Sequence, residues 1–89
     1  MARFELSESN HAVLGEGPVN DSTLLDLGMM YSVGRSVPID YVTAHKWFNL
    51  AAMQGNRDAA RLRQEIAEQM SETEIAAAQR AARAWLQAA

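Results

Sequence analysis

Two short runs constrain this chain more than anything else in it. One is Leu24-x2-Leu27-Gly28-x2-Tyr31; the other is Ala44-x3-Phe48-x2-Ala51, with Trp47 inside it and Gly55 behind it. In the first run the residues fall at i, i+3, i+4 and i+7, which is one face of a helix. The second run, with Trp47, traces one face of a following helix in the same way. A glycine in mid-helix costs about 1 kcal/mol relative to alanine. Gly28 on the packing face therefore predicts close approach of a second helix backbone. Small and large residues at fixed offsets on two successive helices are the pattern of a helix-pair repeat, an architecture that offers surfaces to other proteins.

The flanking residues place the helix ends. Asn20 or Asp21 can cap a first helix over about Asp21 to Val33. Gly34 suits the left-handed position that ends it, and Pro38 cannot continue it. Asp40 then caps a second helix over about Tyr41 to Gln54, closed by Gly55. A third helix spans about Arg57 to Met70, with Ala59, Leu62, Ile66 and Met70 on one side. Ser71-Glu72-Thr73-Glu74 matches the capping box. It opens a fourth helix reaching about Gln87, with Ile75, Ala78, Ala82, Trp85 and Leu86 inward. No segment reads as a strand. The expectation is an all-α fold of about four antiparallel helices joined by short turns, a short α/α solenoid. Residues 1–19 show little periodicity, and Gly15, Gly17 and Pro18 interrupt them, so a loosely ordered N-terminal arm is expected there.

Composition narrows the function classes. At 89 residues this is one small domain with a thin core. It has no cysteine, so neither disulfides nor thiolate metal sites reinforce it, as fits a cytoplasmic protein. Met1-Ala2-Arg3-Phe4-Glu5 lacks the basic and apolar regions of a secretory signal, and no apolar run is long enough to span a membrane. A net charge of −3 argues against general binding to nucleic acid or anionic lipid. Residues 1–55 are net acidic, with six acids against three basic residues, whereas residues 56–89 are balanced.

Leu27-Gly28-x2-Tyr31 followed by Ala44-x3-Phe48-x2-Ala51 resembles a tetratricopeptide-type helix pair. The connection between the helices is longer than in the standard unit of about 34 residues. With Gly34 before that connection, and Ala44-x2-Trp47 and Ala51-Ala52-x2-Gly55 after it, residues 20–55 are similar to the Sel-1-like repeat family. Residues 56–89 resemble a degenerate second pair serving as C-terminal cap. There Ala44-x2-Trp47 recurs 38 positions on as Ala82-x2-Trp85, and Ile66 and Met70 stand for Leu27 and Tyr31. The resemblance implies a non-catalytic adaptor or scaffold for protein–protein interaction. It also implies a groove lined by the first helix of each pair, beside the packing face. In this chain the groove residues are Ser22, Leu25 and Met29, with Arg61, Gln64 and Glu68 from the third helix. The resemblance implies a partner protein or a second copy as its occupant; the alternative is that residues 1–19 lie over Leu25 and Met29 as plain core.

Other candidates are weaker. His11 and His45 lack the converging ligands of a metal site and read as solvated side chains. Arg57, Arg61, Arg63, Arg80 and Arg83 offer a second reading, a nucleic-acid-associated regulator, but acids offset them one for one. Trp47 and Trp85 read as core. No nucleophile stands beside a base and no glycine-rich phosphate loop is present, so no enzyme, cofactor or small-molecule substrate is expected.

Overall fold

Each helix begins where a polar side chain accepts from amides that have no partner of their own in the first turn. In the computed structural model, which describes residues 19–88, Asn20 Oδ1 accepts from Thr23 N at 2.9 Å. Helix α1, Asp21–Val33, follows. Asp40 Oδ1 accepts from Thr43 N at 3.1 Å and opens α2, Tyr41–Met53. Asn56 Oδ1 accepts from Ala59 N at 2.7 Å and opens α3, Arg57–Ala67. Helix α4, Glu72–Ala88, starts on the capping box: Ser71 N donates to Glu74 Oε1 at 2.8 Å, and Glu74 N donates to Ser71 Oγ at 3.1 Å. The described residues hold four helices and no strand, so their fold is all-α. The arm expected over residues 1–19 lies, Val19 apart, outside the described residues.

The helix stops follow the same chemistry. Gly34 ends α1 at φ 77° and ψ 31°. Its amide and that of Arg35 both donate to Met30 O, at 2.9 and 3.0 Å. Helix α3 stops at Ala67, short of the expected Met70. Gln69 N and Met70 N turn back to Ile66 O and Ala67 O, which tightens the last turn. The next amide, Ser71 N, is already committed to Glu74, so the α3 ladder cannot extend through it.

The paired positions give the topology. Val19 O accepts from Gln54 Nε2, Gly28 faces Phe48, and Tyr31 O accepts from Asp40 N. As one number rises the other falls, so α1 and α2 are antiparallel. Arg63 Nη1 donates to Asn49 Oδ1 at 2.7 Å and ties α3 to α2. Val42 and Glu74, near the starts of α2 and α4, line one cavity, while Trp47 and Trp85 meet further along both. Helices α2 and α4 are therefore parallel. Helices α1, α3 and α4 all pack on α2, and α1 meets α3 lightly.

Helix α2 is thus the hub, and this explains two departures from the sequence reading. It buries Ala44, His45, Trp47, Phe48, Leu50 and Ala51. At 100° per residue these cover an arc of roughly 220°, far wider than one stripe. His45, read from the sequence as solvated, is 3% exposed for this reason. On α4 the buried residues are Ala78 and Ala82, and Trp85 packs against the same core. Leu86, expected inward, is 45% exposed. It sits about 100° round the helix from Trp85, beside the last turn of a helix longer than α2.

Candidate functional site

The repeat residues divide between core and turns. Leu24, Gly28, Ala44, Trp47, Phe48 and Ala51 are buried, with Leu27 and Tyr31 half-buried against them. Gly34 and Gly55 both take positive φ. Gly28 accommodates something different from the expected helix backbone. A Cβ built there would lie 2.4 Å from Cδ1 and Cε1 of Phe48, so the glycine makes room for the flat of an aromatic ring. The two tryptophans also touch. Trp47 and Trp85 meet edge to face, with ring centroids 5.8 Å apart and planes at 81°, a geometry aromatic rings prefer. Lys46 Nζ lies 4.2 Å from the centre of the Trp47 ring, and burial pulls its pKa below the ordinary lysine value.

The six groove residues fall in two groups. On α1, Ser22 is exposed and its hydroxyl donates to Asn20 Oδ1 at 2.9 Å. Leu25 and Met29 are half-buried, one side on the core and the other in solvent. On α3, Arg61, Gln64 and Glu68 are all exposed. Arg61 spans its own helix, with Nη1 3.0 Å from Glu65 Oε2 and Nη2 3.8 Å from Asp58 Oδ1. Asn56 Nδ2 donates to Asp21 Oδ2 at 2.9 Å and joins the starts of α1 and α3.

The remaining candidates take definite places. Arg63 is committed to Asn49, and Arg61 to acids of its own helix. Arg57, Arg80 and Arg83 are exposed. His45 Nδ1 and Trp47 Nε1 are buried without a hydrogen-bond partner. Burial holds the His45 pKa below 6.5, and the Arg63 guanidinium lowers it further. His11 lies outside the described residues. Among the described residues, no three or more His, Asp or Glu side chains gather as a metal would require. No helix of the described residues is long and apolar enough to cross a membrane.

One feature was missed in the sequence. A cavity of about 430 Å3 opens where the α1–α2 connection meets the start of α4. Its lining residues are Tyr31, Pro38, Ile39, Asp40, Tyr41, Val42 and Glu74, five without charge and two acidic. The lining comes from three separate segments, and no periodicity in the sequence marks the place where they converge. No protein-family model, curated protein or solved structure matches this chain.

Proposed function

We propose that this chain is a small, non-catalytic protein–protein interaction module of the Sel-1-like, tetratricopeptide-like kind, working in the cytoplasm. In this reading the segment over 20–55 is the repeat and 56–89 its degenerate cap. The observation that carries the reading is the state of Leu25 and Met29. They stand on α1, half on the core and half in solvent. Methionine and leucine in such a position can mould to the side chains of a partner. The antiparallel α1–α2 pair and the abutting Trp47 and Trp85 support the helix-pair resemblance.

The test is a capture experiment with two controls. Wild type and a Leu25→Ser/Met29→Gln double variant are used as bait in native lysate, with light scattering for self-association and circular dichroism for folding. The expectation is a specific partner, or a concentration-dependent dimer, that the folded double variant loses. A folded double variant that keeps the same partners and the same mass would end the groove proposal.

A further inference from the structure

We propose that the cavity at the junction of the α1–α2 connection and α4 is a recognition site for a guanidinium group, taken from an arginine-bearing segment of a partner protein. This inference does not rest on the α1–α3 groove. The cavity, of about 430 Å3, falls within the size range of small-ligand sites, which combine apolar walls with a few placed polar groups. Two of its lining residues, Tyr31 and Tyr41, are aromatic. Planar guanidinium groups stack on such rings, and they pair with carboxylates in a two-pronged geometry an ammonium cannot match.

Charge decides the class of occupant. Asp40 and Glu74 contribute two formal negative charges, and no basic residue lines the cavity. The starts of α2 and α4 lie at the same place, and each helix start lends roughly half a positive charge. About one negative charge remains. The carboxylates also keep free acceptor capacity. Asp40 accepts from Thr43 N and, at 2.7 Å, from Thr43 Oγ1, while Glu74 accepts from Ser71 N through Oε1 alone. A carboxylate offers about four lone-pair sites, so Glu74 Oε2 in particular is left to receive a donor. Arg35, the nearest basic residue along the chain, is exposed and stands outside the lining. Ile39, in the lining, is 58% exposed, which gives an apolar neighbour of the arginine a surface to rest on.

The experiment is an amide-resolved NMR titration of the whole chain with the probe acetyl-Gly-Arg-Gly-amide, up to about 20 mM. The same peptide with citrulline, which has nearly the shape of arginine without the charge, serves as control. The arginine peptide is expected to shift amides of residues 39–42 and 72–75 along a saturating curve, with the citrulline peptide at least about five-fold weaker. Glu74→Gln keeps the capping oxygen for Ser71 N and is expected to weaken the arginine peptide by about two- to five-fold. Equal shifts with citrulline, unaltered binding to a folded Glu74→Gln variant, or shifts confined to other residues would each overturn the assignment.

Discussion

Replacing Gly28 by alanine sets two effects of opposite sign against each other. In an open helix interior the change stabilises by about 1 kcal/mol, because alanine has less backbone freedom to lose. Here the new carbon would stand 2.4 Å from two ring carbons of Phe48 and 3.0 Å from a third. Carbon atoms rest at about 3.5 Å or more, so ring or helix must retreat by about 1 Å. The ring has little room to do so. Phe48 is 0% exposed, and Leu24, Ala44 and Ala51 of the same cluster are equally buried. Overpacking of this kind costs about 1–3 kcal/mol, and two simultaneous clashes place Gly28→Ala toward the upper end. The net expectation is a loss of about 1–2 kcal/mol, or a fall in Tm of roughly 4–16 °C for a domain of this size. Thermal and urea melts followed by circular dichroism measure it. A Phe48→Leu background supplies the internal control: the clash is relieved there, so Gly28→Ala becomes neutral or stabilising. The coupling between the two positions is expected to be about 1 kcal/mol or more. A Gly28→Ala variant that melts at or above wild type in the native background would refute the interlock.

Three further outcomes follow from the same packing. Trp47→Ala removes a buried ring that touches Trp85 and is expected to lose about 3–5 kcal/mol; cooperative melting near the wild-type temperature would remove Trp47 from the core. Ser71→Ala deletes the acceptor of Glu74 N and is expected to lose about 1 kcal/mol in a urea melt, whereas no change in midpoint would count against the reciprocal cap. His45 has its pKa lowered from 6.5 in the folded state, so below that pH the unfolded chain binds the proton first. Its contribution is therefore complete above pH 6.5 and is lost as pH falls from 6.5 toward the lower folded-state pKa. Urea midpoints against pH are expected to fall more steeply for wild type than for His45→Leu; parallel curves would contradict a buried neutral imidazole.

The features legible in the sequence were those fixed by a few neighbouring residues. Asn20, Asp40 and the Ser71–Glu74 box act within one turn, so their chemistry can be read without knowing what packs where. The features that were not legible depend on how many neighbours a helix has. The sequence reading gave α2 one apolar stripe, which is right for a helix covered on one side. Three helices lie on it, so its buried arc reaches His45 and Leu50 as well. The sign in the sequence was modest: between Ala44 and Ala52 only His45, Lys46 and Asn49 are polar, too few for a solvated half. Gly28 teaches a related point. Its position on the packing face was legible, but whether a backbone or the Phe48 ring would fill the space is a property of the partner helix. The cavity beside Tyr41 was beyond reach because its walls come from three segments.

The two ends of this short stack differ in a way that bears on where a partner is placed. A solenoid has two terminal faces, and each must be polar or be covered. Helix α4 meets that condition by composition. Ala78 and Ala82 face α2, and Gln79, Arg80, Arg83, Ala84 and Gln87 are exposed, with Leu86 the one large apolar residue among them. Helix α1 does not meet it in the same way. Beyond the buried Leu24 and Gly28 it carries Leu25, Leu27, Met29, Met30 and Tyr31, all half-buried, and an exposed Val33. Half-burying a leucine or methionine forgoes part of the roughly 1.5–3 kcal/mol that full burial gives, and several such residues on one helix leave a sizeable gain for whatever completes the burial. In the reading proposed above, the asymmetry puts the energetic incentive for association on the α1 side of the described residues, and Tyr31 belongs both to that apolar surface and to the lining of the cavity beside α4.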